Sequence, residues 1–281
     1  MESERERMLV TVARLHYEHG LTHAQIGEEL GLSRVKVTRM VAQARREGMV
    51  EITIKSSQEA FSEVAGRVAD RYGLDRVWVA PSRSGEASVA TLGARAIQHH
   101  VLGAGVVAVG LSGTLANAIE AMGTDAQEST PETDWVPMAG GWGGWEQGFN
   151  PALLAQRAAA RLGGRGYGFP APLLGPSPEF SRTMASLREV AEALDLALSA
   201  DVVLFGVGAL EWQTSPLQDS VSREEKLELT RCGAVGDVCA RFFDGAGAPV
   251  AGLLDERAIG MTLRQVAAVP SRVLLAHGSR K

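Results

Sequence analysis

The sequence predicts an α/β protein in two parts. A small N-terminal domain of the winged helix-turn-helix type is followed by a larger domain with a mostly parallel, helix-covered sheet. Three observations carry this. Residues 21–49 read as two short helices joined by a tight turn. From residue 61 onward, amphipathic helices alternate with short, continuously apolar stretches, the pattern of strands buried on both faces. Several of those stretches run directly into glycine-rich turns. A chain of 281 residues suits two domains, and 45% hydrophobic content gives ample core.

The elements follow in order. Residues 4–19 form a first helix with Met8, Val12, Leu15 and His16 near one face and Gly20 as its stop. In the hairpin, Leu21, Ile26 and Leu30 fall at helical spacing, and Val35, Val37, Met40 and Val41 continue the pattern after Gly31-Leu32-Ser33. Ser33 stands where an N-cap belongs. Gly48 closes the second helix, and residues 50–54 alternate as a short strand, a wing or an edge. The domains are expected at 1–55 and 61–281, with 56–60 as linker. In the larger domain the pattern predicts helices near 61–72, 86–102, 114–122, 151–162, 180–199 and 223–231. Strands are predicted at 77–80, 106–109, 135–138, 167–170, 201–207, 236–242 and 272–275.

The second hairpin helix shows Ser33, Arg34, Lys36, Thr38 and Arg39, residues that suit the DNA major groove. Arginine forks onto guanine, and lysine and threonine hold phosphate. The plain alternative is a structural hairpin. The contrast with acidic Glu28 and Glu29 on the preceding helix, and the N-terminal position, favour a reader. Net charge is −5; residues 1–55 carry nine Lys/Arg and eight Asp/Glu, and the remainder is acidic. Phosphate contacts are local, so a near-neutral reader suffices, while an acidic body argues against wrapping nucleic acid.

Four glycine-rich loops lie where an open α/β sheet binds ligands. Gly110-Leu111-Ser112-Gly113-Thr114 opens a helix, a place where backbone amides and the helix dipole favour an anion. The others hold Gly140-Gly141, Gly206 with Gly208, and Gly233 to Asp237. None is a Walker A or dinucleotide motif, so a small anionic metabolite fits better than a nucleotide. Trp142 and Trp145 suit either stacking on a sugar or packing a loop; Asp237 suits either sugar hydroxyls or a turn. His99-His100 reads as solvated surface, and the two cysteines as small core residues without zinc spacing. No apolar run of about 18 residues and no secretory segment is apparent, which points to the cytoplasm.

The segment HYEHGLTHAQIGEELGLSRVKVTRMVAQARREGMVEITI resembles the reader of SorC/DeoR-type sugar-binding transcriptional regulators. The likeness continues through VGLSGTL, Gly140-Gly141, NPALLAQRAAARLGGRGYGFPAPLL, LSADVVLFGVGAL, GAVGDVCARFFD, LDERAIGMTLRQV and HGSRK. It departs where Leu111-Ser112 replace the family's usual tryptophan and second glycine, and in the double-tryptophan loop. It also implies that the family's C-terminal end is missing beyond Lys281.

The resemblance implies an effector domain with the fold of sugar-phosphate isomerases and CoA transferases, used for sensing. It implies double-stranded operator DNA and a phosphorylated sugar as partners, and a homo-oligomer, dimer or tetramer. Carried over by motif, Gly110, Ser112, Gly113, Thr114, Gly140, Gly141, Gly208, Asp237 and Lys281 form the effector site, and Ser33, Arg34, Lys36, Thr38 and Arg39 the DNA-reading face. No catalytic residue, metal, cofactor or membrane contact is expected. The alternative is an isomerase-like enzyme with an accessory hairpin, its base drawn from Asp237 or Glu211.

Overall fold

The computed structural model describes residues 4–50, 61–81, 85–122, 132–141, 150–210 and 217–278. The chain divides into two compact units, residues 1–59 and 60–281.

The first unit is a three-helix bundle: α1 (Glu4–Tyr17), α2 (His23–Leu30) and α3 (Arg34–Arg46). Its helix ends are written in the sequence. Thr22 and Gln25 form a reciprocal capping box at the start of α2, and Gly31 ends that helix in the left-handed conformation. Ser33 then accepts from the Lys36 amide and starts α3. Gly27 permits the tight turn, because a Cβ there would stand 2.5 Å from the Leu32 carbonyl oxygen. Val12, Ile26, Val37 and Val41 fill one core, and Leu9, Ala13 and Ala44 a second. Val35 departs from the pattern: it is 62% exposed. The expected strand at 50–54 and linker at 56–60 fall almost wholly outside the described residues.

The second unit opens with α4 (Ser62–Tyr72) and α5 (Gly85–Val101). Then follow β1 (Val106–Val109), α6 (Gly113–Glu120), β2 (Asp134–Pro137), α7 (Pro151–Leu162) and β3 (Arg165–Gly166). After α8 (Pro178–Ser186) and α9 (Arg188–Leu198) come β4 (Val202–Gly206), β5 (Gly208–Ala209), α10 (Arg223–Arg231), β6 (Ala234–Val238) and β7 (Arg241–Asp244). The described part closes with α11 (Leu253–Arg257), α12 (Leu263–Ala268) and β8 (Ser271–Leu275).

Five strands form a parallel sheet in the order β3-β2-β1-β4-β8. Side-chain alternation sends Val107, Val109, Val202 and Leu204 into one core with Ile97, Leu115, Ile119 and Leu154 from α5, α6 and α7. Ala108, Val136 and Val203 enter the opposite core with Ala197, Leu229, Val238, Phe242 and Val266. The sheet is thus buried on both faces, which is why its strands read as unbroken apolar runs.

Four expectations change. Residues 77–80 join no ladder among the described residues; Trp78 instead packs beside His99 and His100, with the Arg76 guanidinium 4.8 Å from its ring centroid. His100 also lies 3.2 Å from Ser271 Oγ, so this pair of histidines is not simply solvated. The predicted strand at 167–170 is replaced by a two-residue strand just before it, Arg165–Gly166, and Pro170 cannot donate to a ladder. The predicted strand 236–242 is a hairpin. Cys239 and Ala240 both take positive φ, 49° and 62°, the geometry of a two-residue type I′ turn. The hairpin joins β5 in a separate antiparallel sheet, β5-β6-β7.

Candidate DNA-reading helix and effector site

In the first unit, α3 exposes Ser33, Arg34, Lys36, Thr38 and Arg39 together. Their availability differs. The Ser33 hydroxyl accepts from the Lys36 amide as the helix cap. The Thr38 hydroxyl donates to the Arg34 carbonyl at 3.0 Å, and His23 Nδ1 stands 3.0 Å from Thr38 Oγ1. Its proton is therefore engaged within the unit and is not offered to phosphate. His23 holds this arrangement from α2, packed 4.7 Å from the His16 ring, with its Nε2 enclosed and unpartnered among the described residues. No ion pair is recorded for Arg34, Lys36 or Arg39 among the described residues, and their charges face water.

In the second unit, the strand order changes direction at β1 and β4, and both strands end in glycine turns there. That point is where open α/β sheets leave a crevice beyond the strand carboxyl ends. Gly110 ends β1 because a Cβ would come within 2.9 Å of Met138 Sδ. Ser112 caps α6 by accepting from the Leu115 amide at 3.2 Å. The amides of Gly113 and Thr114, in the first helical positions, have no partner within the helix. Gly113 is exposed with open space where a Cβ would stand. This helix end thus presents unpaired first-turn amides and the positive end of the helix dipole.

Neighbouring loops close in on it. Gly206 ends β4 against Ser112, whose hydroxyl would overlap any Cβ there. Gly208 lies under the Asp237 carboxylate in the same way. Asp237 itself accepts from the Ala240 amide at 2.9 Å, so one of its oxygens holds the hairpin turn. Gly140 and Gly141 follow β2 and are needed for close crossing: a Cβ on Gly140 would overlap the Pro172 carbonyl. Their amides already donate to the Ile259 and Ala171 carbonyls, both at 2.9 Å. What these two glycines provide is space, not donors. Lys281, Trp142, Trp145 and Glu211 lie outside the described residues.

Sequence reading missed Cys239. Its sulfur accepts from the Leu111 amide at 3.0 Å and so touches the Gly110–Thr114 loop directly. Burial pushes this thiol up to about 12, which keeps it a neutral packing and hydrogen-bonding group. The next residue but one, buried Arg241, donates to the Asp255 carbonyl and carboxylate and to the Ala258 and Gly260 carbonyls. That segment pairs back on Met138–Gly140 through Met261 N–H to the Met138 carbonyl and Gly140 N–H to the Ile259 carbonyl. One hairpin therefore links both glycine loops. Nothing in a Val-Cys-Ala-Arg string announces a turn, so no sequence signal was available.

Comparison with known proteins defines the class. Residues 56–281 match the family model described as "Putative sugar-binding domain". The chain belongs to this family, the sugar-binding domain of SorC-type transcriptional regulators. It is similar to transcriptional regulator LsrR of Klebsiella pneumoniae, 28% identical over 98% of this chain and 84% of the relative. It is also similar to the deoxyribonucleoside regulator of Bacillus subtilis, 24% identical over 100% of this chain and 90% of the relative. The crystal structure of the full-length sorbitol operon regulator SorC from Klebsiella pneumoniae superposes with a TM-score of 0.73 at 24% identity, covering 99% and 91% of the two chains. Among the described residues no helix is long and apolar enough to cross a membrane.

Proposed function

We propose that this chain is a DNA-binding transcriptional regulator of carbohydrate metabolism whose operator affinity is set by a phosphorylated sugar. The observation that supports it most directly is the α6 start at the β1/β4 switch point. There Ser112 caps the helix, and the first-turn amides at Gly113 and Thr114 face an open position. The phosphate sits on those amides, Gly206 and Gly208 keep the neighbouring strand end clear, and the Asp237 carboxylate meets sugar hydroxyls. Lys281 adds positive charge as the motif likeness implies. Arg34, Lys36 and Arg39 contact duplex DNA, and the chain acts as a homo-oligomer, dimer or tetramer, in the cytoplasm. On this reading the sugar is sensed and not turned over, and the Asp237 carboxylate, one oxygen of which accepts from the Ala240 amide, serves in binding.

The sugar changes DNA affinity only by binding the DNA-competent and incompetent states unequally. The test is fluorescence anisotropy with duplexes selected from a random pool by the full chain. Phosphorylated pentoses and hexoses shift the operator affinity at least several-fold, and Arg39→Ala weakens binding by about 1–3 kcal/mol. Turnover of any of these sugars without a change in DNA affinity would instead establish the isomerase-like enzyme.

A further inference from the structure

The most exposed large apolar side chain among the described residues of the first unit is one that the periodicity groups with its core. Val35 is 62% exposed and occupies the second position of α3. On a helix turning about 100° per residue, the buried Val37, Val41 and Ala44 share one side. Directly opposite lie Val35, Arg39, Ala42 and Arg46, all exposed. Arg34 and Thr38 sit on the flank, where Thr38 is tied to the Arg34 carbonyl and approached by His23. The stripe farthest from the bundle core is therefore led by Val35 and Arg39, one turn apart.

Single exposed valines are common on surfaces and need no explanation by themselves. This one differs in position. Helix propensity does not favour a β-branched residue at an exposed helical site. The first turn of a recognition helix is the part that reaches base edges. The major groove offers one apolar feature, the thymine C5-methyl group, and aliphatic side chains are its complement.

Resting on the DNA-reading function proposed above, we propose that Val35 is a specificity-determining residue that packs on a thymine methyl beside the base read by Arg39. Full-length protein is used to select duplexes from a randomised pool. Each thymine of the selected half-site is then replaced by deoxyuridine, which removes only the methyl. At one thymine, wild-type binding falls about fourfold, the value of one buried aliphatic carbon. Val35→Ala, shorter by two methyl groups, loses most of the discrimination between the thymine and deoxyuridine duplexes, whereas Arg39→Ala keeps it and loses discrimination at a guanine. The exposed position leaves the fold intact, which an unchanged melting temperature of Val35→Ala verifies. Wild-type affinity insensitive to every deoxyuridine, or Val35→Ala retaining the wild-type discrimination, overturns the assignment while leaving the regulator reading in place. Failure of wild-type protein to enrich any duplex overturns both.

Discussion

Gly206→Ala probes the anion site through a single carbon. The new Cβ would overlap the Ser112 hydroxyl, lie 2.5 Å from Ser112 Cβ and 3.3 Å from the Leu275 carbonyl oxygen. Ser112 has a short side chain on a helix-capping backbone, so relief requires moving the cap itself. Losing an N-cap costs about 1 kcal/mol. Overpacking in a closed site costs about 1–3 kcal/mol more, for a total of about 2–4 kcal/mol. For a unit of this size that corresponds to a fall in melting temperature of about 4–16 °C. Gly113→Ala is the matched control. Its Cβ meets nothing within 4 Å, so the protein's stability stays level or rises by up to about 1 kcal/mol. That methyl nevertheless stands at the first-turn amides and obstructs an anion. Differential scanning fluorimetry with and without phosphorylated sugars separates the two effects. Gly206→Ala melts early and loses ligand stabilisation; Gly113→Ala melts normally and loses only ligand stabilisation. A Gly206→Ala melt within 1 °C of wild type would refute the steric argument. A full ligand shift in Gly113→Ala would remove the anion from those amides.

Three further outcomes are expected. Buried Glu225 pairs with Arg257 and completes the Ser222 capping box; burial raises its pKa, but hydrogen bonds from Arg257 and Ser222 more than reverse this and hold it below 4.5. A lowered folded value means the stabilisation is complete above the ordinary glutamate range and is lost as pH falls through the lowered folded value, so urea midpoints drop in acid and Glu225→Gln, weaker by about 3 kcal/mol at neutral pH, shows a flatter acid limb. Parallel pH curves for the two proteins would contradict this. Iodoacetamide at about pH 8 labels exposed Cys232 and spares buried Cys239 until denaturant is added, as peptide mass mapping reads directly. Gly27→Ala forces the α2–α3 turn apart at the Leu32 carbonyl, costs about 1–3 kcal/mol, and abolishes operator binding in a mobility-shift assay while ligand stabilisation of the sensing unit persists.

Strand β1 and helices α7 and α10 occupy the same residues that the patterning indicates, because a doubly buried strand and an amphipathic helix each impose a period on the chain. The helix opening after Gly110 and the glycine turns at the switch point were equally legible, since crowded backbone positions select glycine; that the Ser112 hydroxyl is spent as the α6 cap was not read. The β6–β7 turn was not. Its left-handed residues are Cys239 and Ala240, where Asn-Gly would have signalled a hairpin, and only tertiary contacts hold them there. Val35 escaped for a different reason: periodicity marks apolar residues without saying whether the apolar surface faces inward or toward a partner.

The Cys239 turn also carries a mechanical meaning. Two consecutive non-glycine residues in the left-handed region carry strain of about 1–2 kcal/mol each, which the Leu111 and Asp237 bonds restrain. Freeing the Leu111 amide from the sulfur would loosen the latch on a loaded spring whose other end, through Arg241, grips the segment under Gly140. The tips of β1 and β2 are thereby harnessed to a single turn.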